Sequence, residues 1–410
     1  MADRRKQKRP PRGAEPDSSS NTLDRIRGNS GVVGAVAITA LLYGLLIFGR
    51  LGYHNFDASF FITAGDAFCD PSLAPEGLRI FLPHGWTGYD GQFYYRLALD
   101  PLTKQRVEYG ITLDKPPYRQ QRILYPVLAR LLALGGTPWI PWSMIVVNYL
   151  AVCGLAFGAA RIAELFAMPA IYGLAIPFFP GVLLALARDL PDPLAISLMV
   201  FSLYLLHSRR ITFAACVLAL AVLTRETVIL LAAALFVHST WRALRRQSAW
   251  TESVRLAIPL ATYAVWQLWI VARWGTFGSA AGSGTLDGFA LKSAGILLIQ
   301  AVQSALGFHP FLLVELLFLG AMTLLAAIVS IRSTVDSGVK LAWLMYLALV
   351  VFLSRLVWVE DWAFMRASAE LMVLGFIIVI GARERRLLPI VFAPTIAIWL
   401  ALAARTMIVQ

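Results

Sequence analysis

Two short segments in the first third of the chain place an aspartate a few residues ahead of aromatic side chains. The first is FDASFF at 56–61, which contains Asp57, and the second is GYDGQFYYRLALDP at 88–101, which contains Asp90. This spacing predicts that each aspartate lies at the start of a helix, where it either caps the helix or presents its carboxylate at the surface. Both interpretations stay open for both segments, and either carboxylate is a candidate general base.

Acids and arginines recur together further along the chain, at the ends of apolar runs. The segments are PPYRQQRILYP (116–126), RDLPDP (188–193), TRE (224–226) and WVEDWAFMR (358–366). The planar guanidinium of arginine is suited to bidentate recognition of phosphate. Charges beside hydrocarbon are costly and are commonly functional. The alternative is that these acids and arginines pair with one another as purely structural contacts.

The elements that must position these residues are apolar enough to lie in a membrane. Of the 410 residues, 58% are hydrophobic and only 15% are charged, whereas an ordinary soluble domain is about 25% charged. The net charge of +12 does not predict a nucleic-acid partner, because the basic residues lie at the ends of apolar runs and in the N-terminal segment. Three cysteines and five histidines show no disulfide or metal-ligand spacing.

We predict an all-α integral membrane protein with about 10–12 transmembrane helices, since a span needs about 20 apolar residues. Residues 1–30 are predicted to be a disordered, basic cytoplasmic tail, and residues 31–410 a single membrane domain. The predicted spans are 31–50, 139–160, 169–187, 193–208, 211–224, 226–241, 254–273, 310–331, 341–358, 366–381 and 388–405.

The distribution of arginine orients these spans. Lipid-adjacent basic residues favour the cytoplasmic side, which makes 51–121 a long first extracytoplasmic loop and predicts short interfacial helices within it. Segment 122–136 is too short for a span, so it is predicted to be an interfacial or re-entrant helix. Segment 286–305 is predicted to form an amphipathic interfacial helix. With this topology the segments that contain acids and arginines face the same side of the membrane.

The aspartate segment at 88–101, followed by RILYPVLARLL at 122–132, resembles the mannosyltransferase that adds the second mannose to glycosylphosphatidylinositol. Segments 176–205 and 214–231 are similar to its next spans, so the likeness covers roughly residues 31–235. The chain departs from that family where Tyr89 replaces a tryptophan and where RDLPD replaces a turn with Tyr and Glu. The wider resemblance is to the GT-C superfamily of glycosyltransferases that use polyprenyl-phosphate sugars.

The resemblance implies a GT-C-like fold and transfer of a sugar, mannose by preference, from a polyprenyl-phosphate-linked donor to a lipid or glycan acceptor. The reaction would take place at the extracytoplasmic face and invert the anomeric centre. It implies a bacterial plasma membrane, or the membrane of the endoplasmic reticulum in a eukaryote. Membrane lipids are the other expected partners.

The choice of the base follows from the same resemblance, and the roles of the arginines follow from their position at the outer ends of spans, where an unpaired charge is costly unless an anion completes it. Asp90 is the expected base, with Asp57 as its rival. Arginines stabilise the phosphate leaving group, with Arg122 and Arg225 as first candidates and Arg119, Arg188 and Arg366 as further ones. The remaining substrate contacts are expected from Tyr89, Gln92, Tyr94, Tyr95, Asp189, Asp192 and Glu226. No metal site is assigned, although a divalent cation, Mg²⁺ or Mn²⁺, stays an open alternative at Asp189 and Asp192.

Two other functions stay open at this point. A transporter or flippase for a lipid or amphiphile would place its polar site near the middle of the membrane, whereas the polar segments here lie at span ends. A non-catalytic subunit of a glycan-assembly complex would tolerate the loss of every outer acid.

Overall fold

The computed structural model describes residues 18–74, 80–282, 299, 310–358 and 360–408. The first 17 residues of the predicted tail, and the predicted amphipathic helix at 286–305 apart from Ile299, lie outside these residues. The described chain is almost entirely helical, and its one small sheet is a hairpin of β1 (Val107–Glu108) and β2 (Ile111–Thr112).

Eighteen α-helices lie in the described part of the chain. They are α1 Ser18–Tyr53, α2 Gly91–Leu99, α3 Pro116–Gln120, α4 Leu124–Leu132, α5 Ile140–Leu165, α6 Pro180–Leu186, α7 Asp192–His207, α8 Ile211–Thr224, α9 Ile229–Leu244, α10 Trp250–Leu256, α11 Ile258–Trp274, α12 Gly278–Ala281, α13 Pro310–Ser330, α14 Ser337–Val351, α15 Arg355–Trp358, α16 Asp361–Ala367, α17 Ala369–Gly381 and α18 Leu388–Ile408. Short 3₁₀ helices lie at Ala58–Ile62, Pro71–Leu73, Thr137–Trp139, Ala170–Ala175, Glu226–Val228 and Arg385–Leu387.

Among the described residues, six helical segments are long and apolar enough to cross a membrane. They are Asn29–Tyr53, Thr137–Leu165, Glu226–Leu244, Trp250–Trp274, Phe311–Ser330 and Arg385–Met407. The pair α16 and α17, bent by 51°, counts as a seventh if it is one broken span. The predicted all-α, multi-span membrane protein is therefore confirmed at this level.

The predicted number of 10–12 spans is higher than six or seven, and the difference comes from particular segments. Predicted spans 193–208, 211–224 and 341–358 are the shorter apolar helices α7, α8 and α14. Predicted span 169–187 is divided into a 3₁₀ helix and α6. Pro177 and Pro180 lie at the break and supply no backbone N–H to continue a helix, which a hydropathy count does not detect.

Small residues allow the central helices to pack closely. Gly154 and Gly158 of α5 face α7, where added Cβ atoms would come within 3.0 Å of Ser197 Oγ and 3.2 Å of Val200 Cγ1. Interfaces of this kind are typical of membrane helices, because van der Waals contact replaces the hydrophobic effect there. The α5–α7 pair, joined by α1 and α8, forms the frame against which the first loop is held.

The loop 54–121 is a compact layer of short elements on one end of this frame. The side chain of Gln92 in α2 fastens it: its oxygen accepts from the Gly65 N–H at 3.1 Å, and its nitrogen donates to the Thr87 carbonyl at 3.1 Å. Buried Arg96 pairs with Glu108, which ties α2 to the β-hairpin. Helix α4 has nine residues, about 13.5 Å at 1.5 Å per residue, and so is too short to cross a membrane, as predicted.

Candidate active site

Asp90 occupies the position before the first turn of α2, but its side chain makes no capping hydrogen bond. Its carboxylate instead bridges two arginines from distant parts of the chain. Oδ1 lies 2.9 Å from Nη1 of Arg119, and Oδ2 lies 3.2 Å from Nη1 of Arg366. The side chain keeps 20% of its surface exposed. A partly open carboxylate between two guanidiniums is the central feature of the candidate site.

The electrostatics of this cluster keep Asp90 ionised. Burial by itself would raise the pKa of Asp90, but Arg119, Arg366 and Arg122 outweigh it and hold the pKa below its ordinary value of 3.8. Because the folded-state pKa is depressed, the resulting stabilisation is present above the unfolded-chain pKa of about 3.9 and is lost only as the pH falls through the lower folded value. Asp90 is therefore ionised at neutral pH, the form in which a carboxylate can accept a proton.

Asp57 has the other arrangement that the sequence allowed. It caps the 3₁₀ helix Ala58–Ile62: its Oδ1 accepts from the Ser59 N–H at 2.9 Å and from the Ser59 hydroxyl at 2.7 Å. The residue is exposed and, among the residues described, makes no ion pair with an arginine. The capping interpretation thus accounts for Asp57 but not for Asp90.

A second carboxylate, Asp192 at the start of α7, lies behind Asp90 and is almost fully buried. It pairs closely with Nη1 of Arg225, and its Oδ1 lies 3.7 Å from Nε of Arg366. Arg225 also lies 3.1 Å from Glu370, which in turn accepts from the Thr227 hydroxyl at 2.6 Å. Arg366 therefore links the exposed acid to the buried one.

Arg122 is held at a neighbouring position by a bidentate pair with Glu226. Nε and Nη2 lie 2.7 Å and 2.5 Å from the two carboxylate oxygens. The remaining donors reach the hydroxyls of Tyr94 and Tyr118, each at 2.7 Å. All three nitrogens of this guanidinium thus donate hydrogen bonds to protein groups.

Arg188 differs from the other predicted arginines because no carboxylate pairs with it in the described part of the chain. It follows α6 and lies between aromatic rings, 4.6 Å from the Trp362 centroid and 5.5 Å from the Tyr89 centroid. Its one protein hydrogen bond is from Nη1 to the Leu184 carbonyl at 3.3 Å. A buried guanidinium with an unneutralised charge is a favourable position for an anion.

Close backbone contact holds these groups together. A Cβ on Gly91, the residue after Asp90, would collide with the carbonyl oxygens of Arg188 and Ile62. Gly88 has a φ of +70°, which glycine adopts without strain and which turns the chain into α2. The two glycines therefore allow the loop that carries Asp90 to lie directly against the turn that carries Arg188.

Several predicted substrate residues have other places in the structure. The side-chain amide of Gln92 is used in hydrogen bonds that hold the loop 54–121 together. Tyr95 of α2 is fully buried among apolar side chains. Asp189 is fully buried in a turn with a φ of +48°. Burial raises the pKa of Asp189 well above 3.8, and Arg50 and Tyr125 only partly oppose this. Tyr89 and Tyr94, by contrast, contact the arginine cluster.

The sequence reasoning missed four residues of the cluster: Asp114, Tyr118, Trp362 and Glu370. Asp114 forms a bidentate pair with Arg119, with both distances at 2.8 Å. The sequence spacing could have pointed to two of these residues. Asp114 precedes Arg119 by five residues. Glu370 follows Arg366 by four residues, which would place both on the same helix face if the helix were continuous.

The described residues contain no group of three His, Cys, Asp or Glu side chains arranged to hold a metal ion. Asp189 and Asp192, the pair considered for a cation, are both buried, and Asp192 is neutralised by Arg225.

Comparison with known proteins leaves the family of this chain open, since no family model and no curated protein matches it.

Proposed function

We propose that this multi-pass membrane protein is a GT-C-type glycosyltransferase that takes its sugar from a polyprenyl-phosphate-linked donor, with mannose as the first candidate. The fold would be GT-C-like, with the cluster around Asp90 at the extracytoplasmic face. The observation that carries the proposal is the state of Asp90: an ionised, partly exposed carboxylate at a helix start that caps nothing. The preceding residue, Tyr89, contacts the guanidinium of Arg188, which pairs with no carboxylate in the described part of the chain.

The cluster supplies the two functions that such a transfer needs. The acceptor hydroxyl must lose its proton as it attacks the anomeric carbon, and Asp90 is the accessible carboxylate that would receive it. The bond to the donor phosphate breaks, and its electron pair leaves with the lipid phosphate. Positively charged donors placed beside that oxygen stabilise the developing charge. Attack from the side opposite the phosphate inverts the anomeric centre.

We assign the principal phosphate contact to Arg188. Arg122 and Arg225 were the first candidates by sequence, but each already forms ion pairs with carboxylates of the chain. Arg188 has no such partner and lies beside Tyr89, which directly precedes the base in the chain. Arg366, in contact with Asp90 and within 5.3 Å of the Tyr89 ring centroid, is the second contact. Arg119 and Arg122 then position Asp90 and Tyr94.

The deciding experiment is incubation of the purified chain with a panel of polyprenyl-phosphate sugars and a mixed lipid and glycan acceptor pool. A glycosyltransferase releases polyprenyl phosphate and forms a new glycoconjugate. A transporter would move the intact donor across a vesicle without breaking the glycosidic bond, and an assembly subunit would do neither. Absence of sugar-dependent release across the panel would contradict the proposal.

The phosphate assignment is tested in the same assay with Arg188→Gln. This variant should raise the KM for the donor by about ten- to a hundredfold, since a charged hydrogen bond contributes about 1.5–3 kcal/mol. Arg106→Gln is the control, because Arg106 is an exposed arginine of the loop 54–121 whose side chain makes a single hydrogen bond, to the Leu113 carbonyl. If both variants bind donor like the wild type, Arg188 is not the phosphate contact.

A further inference from the structure

A polar cavity of about 250 Å³ lies at the end of the helix bundle opposite the candidate active site. Helix α7 begins at Asp192 in the candidate active site and ends at His207 in the wall of this cavity. Sixteen helical residues extend about 24 Å, so the cavity is separated from the active site by most of a membrane thickness. It is therefore independent of the proposed transfer reaction.

The cavity combines apolar walls with unpaired cations. Leucines and an isoleucine form the walls, while Arg209 and Arg242 lie at its edge. Neither guanidinium makes a hydrogen bond or an ion pair with another residue that the structure describes. Two guanidiniums beside one opening favour an anion with several oxygen atoms, for which phosphate is the usual ligand.

Two carboxylates also line the cavity, and they differ in how they are used. Asp336 caps α14 by accepting from the Gly338 N–H at 2.8 Å, and it lies 3.6 Å from Nε2 of His238. Glu252 has no such role: it makes no ion pair, and its Oε2 is buried without a hydrogen-bond donor among the described residues. Buried acceptors are nearly always satisfied. The Oε2 of Glu252 is therefore free to accept a hydrogen bond from a ligand in the cavity.

We propose that this cavity binds a phosphate ester that also carries a primary ammonium group, the chemistry of an ethanolamine phosphate headgroup. The phosphate lies against Arg209 and Arg242, and the ammonium donates to Glu252. This chemistry occurs both in the headgroup of a membrane phospholipid and in a soluble phosphate ester, and the apolar walls of the cavity accommodate the carbon chain between the two charged groups.

The test is native mass spectrometry of the purified full-length chain in detergent, titrated with three phospholipids of identical acyl chains. Phosphatidylethanolamine should bind about tenfold more tightly than phosphatidylcholine, whose methylated nitrogen has no N–H to donate. Glu252→Gln should abolish that preference while leaving the binding of phosphatidylglycerol unchanged. Soluble O-phosphoethanolamine forms a separate arm: competition by it identifies a soluble ester as the ligand, and lipid binding without competition identifies the headgroup.

Arg242→Gln should weaken all three lipids by about tenfold. Arg245→Gln is the matched control, because Arg245 is near the same end of α9 but packs on the Trp241 ring outside the cavity. Equal affinity for the ethanolamine and choline lipids would overturn the proposal. So would an ethanolamine preference that survives in Glu252→Gln, or an effect of Arg242→Gln no larger than that of Arg245→Gln.

Discussion

The substitution Asp90→Asn tests whether the carboxylate of Asp90 is catalytic or only structural. The substitution is nearly isosteric and removes the charge and the proton acceptor. Loss of a positioned general base lowers the rate by about 10²–10⁴-fold, which corresponds to about 2.7–5.4 kcal/mol in the activation free energy. We expect Asp90→Asn to lose sugar transfer by this factor.

The cost to folding should be smaller, because both arginines keep another carboxylate. Arg119 retains its bidentate pair with Asp114 at 2.8 Å, and Arg366 retains Asp192 at 3.7 Å. The free energy of unfolding should fall by about 1–3 kcal/mol. That range lies between an exposed ion pair, worth about 0–1 kcal/mol, and a buried pair broken on one side, about 3–5 kcal/mol, as suits a side chain that is 20% exposed.

The assay is release of polyprenyl phosphate by the variant, with melting temperature and donor affinity measured on the same preparation. The matched control is Asp57→Asn, in which asparagine caps a helix as well as aspartate does. Activity within about twofold of wild type is expected for this control. If Asp90→Asn retains transfer while Asp57→Asn is inactive, the reasoning from the arginine contacts is refuted and Asp57 is the base.

Three further predictions test the surroundings of Asp90. Arg366→Gln removes a cation that lowers the pKa of Asp90, so the acid limb of the kcat/KM profile should move to higher pH; an unmoved limb would mean that Asp90 is not the titrating base. Gly91→Ala should lower the free energy of unfolding by more than about 2 kcal/mol or abolish folding, because a Cβ at this position has no room. Gly52→Ala is the control and should be neutral, because a Cβ there meets nothing within 4 Å. A single cysteine at exposed Leu73 in a cysteine-free background should react with an impermeant thiol reagent in intact cells, and labelling that requires permeabilisation would reverse the predicted topology.

The sequence predicts the class of the fold because membrane helices are a local property. Apolar runs such as 31–50 and 388–405 correspond to Asn29–Tyr53 and Arg385–Met407, since hydropathy over one segment is enough to define each span. The break near Pro177 depends on backbone hydrogen bonding that hydropathy does not measure. Short helices such as α8 have the composition of a span without its length.

The candidate site depends on contacts that the sequence does not contain. Asp57 and Asp90 look alike locally, since both precede aromatic residues, and only their partners separate them. Arg366 reaches Asp90 across 276 positions of the chain, and Arg122 reaches Glu226 across 104. Residue type and the predicted side of the membrane were enough to select these residues as candidates. Which acid pairs with which arginine depends on how α2, α7 and α16 pack together.

The two interpretations that the sequence left open, functional charges or structural ion pairs, apply to different members of the same cluster. Arg122 with Glu226, and Arg225 with Asp192 and Glu370, are ion pairs in which each arginine is neutralised by a carboxylate of the chain. Such pairs add little net stability over apolar packing, and here they fix the positions of the segments that carry them. Asp90 and Arg188 remain outside this set. The side chain of Asp90 is 20% exposed, and Arg188, which contacts aromatic rings and one carbonyl, has no ion pair with a carboxylate in the described part of the chain. Under the proposed function, a substrate would meet Asp90, held between Arg119 and Arg366, together with the guanidinium of Arg188, and this combination suits a hydroxyl group beside a phosphate.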